Sequence, residues 1–179
     1  GLKDKFVVGH VGRLHPQKNH DFLIDVFAEI KKKKSDAELV LVGTGPLEEK
    51  VRSKVADKGL TESVQFLGNR KDMNRVYQAM DIFVFPSLFE GLGIVAIEAQ
   101  AAGVPIVCSE GLPPETDITP IYRKLLLSDG AEKWANAALE MAQNSKAHTN
   151  MQQYVIDAGF DMDATAKYME NYYLMKIEW

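Results

Sequence analysis

The sequence has little cysteine and no long apolar run. Its single cysteine, Cys108, excludes an intrachain disulfide and favours a reducing, cytoplasmic setting. No apolar run approaches the roughly 20 residues that a membrane-spanning helix needs, and the N-terminus lacks a signal-peptide pattern. We therefore expect a cytoplasmic protein, and action at the inner face of the membrane stays open.

Signatures of several other protein classes are also missing. The net charge of −4 argues against nucleic-acid binding. No G-x-G-x-x-G fingerprint follows the first predicted strand, which counts against a nicotinamide dehydrogenase. The four histidines have no metal-ligand spacing, and Asp161 and Asp163, an Asp-x-Asp string, precede a helical pattern and are interpreted as a helix N-cap. We expect no metal and no cofactor.

What is present is an alternation of short apolar strands with amphipathic helices. Six strands are predicted, at 6–11, 39–42, 64–67, 82–85, 106–108 and, more weakly, 125–127. Helices are predicted from the cap residue Asn19 to Lys34, and then up to about 58, near 72–79, from about 93, and at 131–144, 147–158 and 163–177. This order predicts an α/β fold, a doubly wound, Rossmann-like parallel sheet of about six strands with helices on both faces.

Three loops should meet at the carboxyl edge of that sheet, where ligands of such folds bind. The first carries Arg13, which can fork onto phosphate oxygens, and Lys18, a compact positive charge. The second, Gly43-Thr44-Gly45-Pro46, lets backbone approach a ligand without side-chain interference. Taken alone, each also fits a surface charge or an ordinary turn.

The third loop is the most informative, because it places two carboxylates on either side of a glycine-bracketed helix start. Glu90 precedes a helix expected to begin near Gly93, and Glu98 lies inside it. A helix N-terminus is a natural phosphate seat. Glu98 has apolar neighbours at helical spacing and so needs a partner, which could equally be a backbone group or an internal arginine. Glu90 by itself decides nothing.

Together these residues resemble one family. The matching motifs are Gly12-Arg13…Lys18-Asn19, Gly43-x-Gly45-Pro46-Leu47, Val64-x-Phe66-Leu67-Gly68, Pro86-Ser87…Glu90-Gly91-x-Gly93, Glu98-Ala99 and Gly103-x-Pro105. They resemble the donor-binding half of retaining glycosyltransferases of family 4, which have two Rossmann-like domains (the GT-B fold). Segments 111–115 and 127–134 are similar to the subset that builds bacterial capsule or exopolysaccharide.

The resemblance implies roles for these positions. Arg13 and Lys18 would hold the diphosphate and, with Glu90 on the donor sugar, form the catalytic set. Glu98 would bind the ribose, the backbone amides of Gly91, Leu92 and Gly93 the phosphates, and Leu67 would flank the base. The glycines Gly12, Gly43 and Gly45 would complete the donor site. No nucleophilic carboxylate is implied; the charge growing on the departing diphosphate would be stabilised instead.

The resemblance also implies an organisation. Residues 1–160 would form the nucleotide-sugar domain, and residues 161–179 a helix returning toward an acceptor-binding domain expected upstream of Gly1. The donor would be a UDP-sugar, with GDP-mannose as the alternative. The acceptor would be a glycan or a lipid-linked glycan, and peripheral membrane association of the full-length protein stays open. A rival interpretation is a non-catalytic nucleotide-sugar-binding or regulatory module, which the sequence upstream of Gly1 would discriminate.

Overall fold

The computed structural model describes residues 2–145 and 148–177. Six strands form one sheet: β1 (Phe6–Val11), β2 (Ala37–Val42), β3 (Val64–Phe66), β4 (Ile82–Phe85), β5 (Ile106–Ser109) and β6 (Tyr122–Leu125). The described residues also form seven α-helices: α1 (His20–Lys33), α2 (Glu48–Asp57), α3 (Met73–Tyr77), α4 (Ile94–Ala101), α5 (Ala131–Asn144), α6 (Gln152–Asp157) and α7 (Met162–Ile177).

The strand order is β3-β2-β1-β4-β5-β6, and all five neighbouring pairs are parallel. The chain runs outward from β1 to β3 and then returns to the other side of β1 with β4. The order therefore reverses between β1 and β4, and a crevice opens at their carboxyl ends. The predicted doubly wound, Rossmann-like α/β fold is confirmed.

Both faces of the sheet are covered, as continuous apolar strands require. On one face, α1, α2 and α5 pack a core that includes Phe27, Val55 and Trp134. On the other, α3 and α4 pack against Phe83 and Phe85. The side chains of neighbouring strand residues alternate between the two cores, so the central strands β1, β2, β4 and β5 are buried on both sides.

Several predicted boundaries were wrong. The sixth strand is Tyr122–Leu125, not 125–127, and a 3-10 turn begins at Leu127. This strand is at the edge of the sheet, so Arg123 and Lys124 are tolerated in it and the apolar run is not its centre. Helices α3 and α6 are shorter than predicted. Asn19 takes the cap position of α1 but is left-handed (φ 53°) and makes no side-chain cap bond.

The C-terminal helix begins one residue before the predicted 163–177, and Asp161 caps it: its Oδ1 accepts the Asp163 N–H at 2.9 Å. Every residue from Met162 to Met175 is exposed. Trp179, which ends the predicted segment 161–179, lies outside the described residues, and the division at residue 160 stays a prediction. None of the helices in the described part of the chain combines the length and apolar character needed to cross a membrane.

Candidate functional site

A cleft of about 560 Å³ opens at the carboxyl edge of the sheet, beside the point where the strand order reverses. We call it the edge cleft. Its lining comes from the ends of β1 and β2, the loop before α3, and α4. The lining residues are Val11, Gly12, Arg13, Val42, Gly43, Thr44, Asn69, Arg70, Met73, Val95 and Glu98.

Glycines let the first two loops approach each other at the floor of the edge cleft. Gly43 has a φ of +126°, and a Cβ there would overlap the carbonyl of Gly12. A Cβ on Gly45 would overlap the backbone of Leu14. Gly12 and Gly43 line the edge cleft, whereas Gly45 does not. Backbone packing therefore explains Gly45 without any ligand.

Arg13 contributes a positive charge to the edge cleft. Its side chain is exposed, and it forms no hydrogen bond or ion pair with any of residues 2–145 or 148–177. A guanidinium presents its donors in a rigid fork, the geometry that matches two oxygens of a phosphate or carboxylate. Arg13 is thus available to an anion entering the edge cleft.

Lys18 and Glu90 form an ion pair with each other, although the resemblance assigns them to two different parts of a ligand. The Lys18 Nζ to Glu90 Oε1 distance is 2.6 Å, and the side chains are only 15% and 7% exposed. The Lys18 ammonium also lies 4.8 Å from the centre of the Phe85 ring. A Cβ on Gly12 would come within 3.1 Å of the Lys18 side chain, so this pair adjoins the edge cleft.

The loop between β4 and α4 presents backbone donors. Gly93 caps α4 with a φ of 71°, a left-handed conformation that glycine adopts without strain. Among the described residues, no acceptor bonds the N–H groups of Gly91, Leu92 or Gly93. These donors and the positive end of the helix dipole make this terminus suited to an anion.

Glu98 lies in the edge cleft, and its partner is neither of the two foreseen. Its Oε2 accepts the hydroxyl of Tyr77 at 2.8 Å, and the residue is exposed rather than turned into the apolar face. Burial and this carboxylate raise the pKa of Tyr77 far above its usual range, so the tyrosine stays a donor. The remaining carboxylate lone pairs are available to hydroxyl groups.

One predicted site residue lies beside the edge cleft, and the sequence analysis missed others that line or adjoin it. Leu67 lines a neighbouring depression that shares Arg70 with the edge cleft, and its place beside the base stays a prediction. Arg70 is held by two hydrogen bonds to Asp72, at 2.8 and 2.7 Å. It follows the end of β3, so the same edge rule that selected Arg13 would have found it. Tyr77 had no such signal, because it is 21 residues from Glu98 and meets it only in the folded chain.

The imidazoles of His10 and His20 are buried near Lys18. His10 Nδ1 donates to the Val84 carbonyl at 2.9 Å, and the His10 and His20 rings meet edge to face at 4.7 Å. Neither nitrogen of His20 has a partner in the part of the chain that the structure describes. Burial, and then the charge of Lys18, lower the pKa of His20 to about 4. Burial and His20 also lower the pKa of His10 well below its usual range.

We expect this pair to make the fold sensitive to acid. Unfolded histidine has a pKa near 6.5, so between pH 6.5 and 4 the unfolded chain binds the extra proton and stability falls as the pH falls. For His20 alone the loss from pH 7 to pH 5 is about 2 kcal/mol. Denaturant unfolding at pH 7 and at pH 5 should show a smaller loss of stability between the two for His20→Phe than for the unchanged chain. The exposed His15, changed to Phe, is the control; equal losses in all three would contradict this prediction.

Comparison with known proteins identifies the family to which this chain belongs. The family model described as "Glycosyl transferases group 1" matches residues 1–158. EpsF of Bacillus subtilis (strain 168) is 30% identical over 177 residues, 98% of this chain and 46% of EpsF. The GDP-mannose-dependent monoacylated alpha-(1-6)-phosphatidylinositol monomannoside mannosyltransferase of Corynebacterium glutamicum is 34% identical over 145 residues, 75% of this chain and 37% of that protein.

Among solved structures, HepE of Anabaena in complex with UDP and glucose shares the fold. Its TM-score is 0.79 at 22% sequence identity, and the match covers 98% of this chain and 49% of HepE. The chain thus spans about half the length, or less, of these proteins. The resemblance that the sequence motifs carried is confirmed by the family model: the chain belongs to the glycosyl transferases group 1 family.

Proposed function

We propose that this chain is the donor-binding domain of a retaining glycosyltransferase that transfers a hexosyl unit from a nucleoside-diphosphate sugar. The observation that carries the proposal is the edge cleft. There the guanidinium of Arg13, which has no partner among the described residues, and the carboxylate of Glu98 share one cavity. A diphosphate needs the first group, and ribose hydroxyls suit the second.

The chemistry proposed for the site is stabilisation of the leaving group. As the bond from the sugar to the diphosphate breaks, negative charge grows on the phosphate oxygens. The backbone fixes the amides of Gly91, Leu92 and Gly93, which have no acceptor among the described residues, so they oppose that charge without reorganising. Arg13 adds a positive charge and further donors. Because these groups supply positive charge and donors themselves, we propose that donor binding needs no divalent cation.

Lys18 and Glu90 act as a unit in this proposal. Lys18 lies near the proposed phosphate position, and the ion pair with Glu90 partly neutralises its charge. Glu90 is then held in one orientation, from which its oxygens accept hydroxyl groups of the donor sugar. Neither carboxylate is assigned a nucleophilic role.

The donor and the acceptor are proposed from the relatives. HepE is bound to UDP and glucose, which supports a UDP-sugar; the mannosyltransferase of Corynebacterium glutamicum uses GDP-mannose, which supports the alternative. The named acceptor of that enzyme is a phosphatidylinositol monomannoside, a lipid-borne sugar. We propose a growing, lipid-linked surface polysaccharide as acceptor, bound by a part of the enzyme outside this chain, at the cytoplasmic face of the membrane.

Calorimetry on the chain tests the donor proposal. Titration with UDP, GDP and ADP, each in EDTA and then with Mn²⁺, should give binding of at least one nucleotide in EDTA. Affinity should fall as salt rises, because part of the attraction is between charges. Failure of all three to bind would overturn the proposal, and binding only with Mn²⁺ would overturn its metal-free form.

The two carboxylates should respond differently to removal of their charge. Glu98→Gln keeps an oxygen for Tyr77 but weakens the bonds to the ribose, so affinity for the bare nucleotide should fall about tenfold, the value of one charge-assisted hydrogen bond. Glu90→Gln should spare the bare nucleotide and weaken only the nucleotide sugar. Equal losses of bare-nucleotide affinity in both variants would refute this division of roles.

A further inference from the structure

Gln17 fastens the loop after β1 to the loop after β4. Its backbone carbonyl accepts the N–H of Leu88 at 2.8 Å. Its side-chain Nε2 donates to the carbonyl of Phe89 at 2.9 Å and, more weakly, to Glu90 Oε2 at 3.4 Å. One residue thus ties three consecutive residues of the opposite loop, and the last of them is the carboxylate assigned to the donor sugar.

The two oxygens of Glu90 are held from adjacent residues of one segment. Lys18 Nζ binds Oε1 at 2.6 Å, and Gln17 Nε2 approaches Oε2. An ammonium attracts the carboxylate strongly but turns about a flexible stem, whereas a planar amide tied at a second point fixes a direction. The Glu90 N–H also donates to the Gly111 carbonyl at 3.0 Å, so the backbone beneath the carboxylate is fixed as well.

We propose that Gln17 is a positioning residue that fixes Glu90 and its loop for the donor sugar and so contributes to the choice between sugars. This inference rests on the proposed function, because it needs Glu90 to meet the sugar. A carboxylate that is already held in place loses little conformational entropy when the sugar binds. The epimer carries its hydroxyl in a different position, where the fixed carboxylate cannot accept a hydrogen bond from it. A carboxylate that rotated freely could accept a hydrogen bond from the hydroxyl of either epimer.

Gln17→Leu tests the proposal, because the leucine side chain is of similar size but cannot donate a hydrogen bond. The probes are three sets, each a nucleoside diphosphate with two nucleotide sugars that are epimers of each other. The sets are UDP with UDP-glucose and UDP-galactose, UDP with UDP-N-acetylglucosamine and UDP-N-acetylgalactosamine, and GDP with GDP-mannose and GDP-glucose. In the set that contains the sugar bound most tightly by the unchanged chain, the Gln17→Leu variant should bind the bare nucleotide within twofold of the unchanged chain. Affinity for the preferred sugar should fall about five- to tenfold, and the preference over its epimer should shrink.

Further variants separate positioning from folding. Gln153→Leu removes a surface amide bond to Asp157 in α6 and should change neither affinity nor preference. In the background of Glu90→Gln, Gln17→Leu should cost little more, because the group it positions has already lost its charge. A parallel loss of bare-nucleotide affinity, or an unchanged epimer preference, would overturn the positioning role. If the unchanged chain binds no nucleotide at all, the proposed function itself fails and this inference fails with it.

Discussion

Replacing Arg13 with methionine is expected to lower the affinity for a nucleoside diphosphate about a hundredfold. The guanidinium is exposed in the edge cleft and has no partner among the described residues, so its donors are free for phosphate oxygens. Two charge-assisted hydrogen bonds are worth about 3 kcal/mol together, which corresponds to that factor. Because the side chain supports no other contact of this kind, the thermal stability of the free chain should stay the same.

The matched control is Arg123→Met. Arg123 lies in the edge strand β6 and pairs with Glu140 at 2.6 Å, away from the lining of the edge cleft. Titration calorimetry of the two variants with the same nucleotide should show a loss for the first alone. Similar affinities in both variants would mean that the diphosphate does not lie against Arg13.

Lys18→Met should lower the free energy of unfolding by about 3 kcal/mol. Methionine keeps an apolar stem against Phe85 but leaves the Glu90 carboxylate, 7% exposed, without its ammonium. Breaking a buried pair from one side is costly because the other charge stays desolvated. Chemical denaturation at pH 7 measures this loss directly.

Two further variants decide its cause. The double variant Lys18→Met with Glu90→Gln should recover most of the lost stability, because no uncompensated charge remains. Lys32→Met breaks a pair with Glu29 in which the lysine side chain is 68% exposed, and it should cost less than about 1 kcal/mol. Equal losses from both lysines, or no recovery in the double variant, would show that the pair contributes no more than a surface contact.

The central strands were predictable because each is a short apolar run buried on both faces. Phe6–Val11 and Ile82–Phe85 have the predicted bounds, and the crossover rule orders them in the sheet. The helix that begins after Gly93 was predictable from its glycine and its alanine-rich run. The edge strand Tyr122–Leu125 was not, since one-sided solvent exposure removes the apolar signal that marks a central strand.

Some residues of the candidate site were predictable, but their pairings were not. Arg13 and Glu98 were selected by composition at the sheet edge, and they share the edge cleft. The bond between Lys18 and Glu90 joins residues 72 positions apart, and no local pattern records it. Whether a charged side chain is free for a ligand or already engaged depends on such long-range contacts, and only coordinates provide them.

The contacts between Gln17, Lys18 and Glu90 also affect how the domain comes apart. They join the loop of the first half of the sheet, β1 to β3, to the loop of the second half, β4 to β6, at the point where the strand order reverses. Neither half of the sheet can unfold locally without breaking these contacts, so the two halves form one cooperative unit around the site. A bound nucleotide should therefore slow amide hydrogen exchange in the strands of both halves, far beyond the residues that it touches.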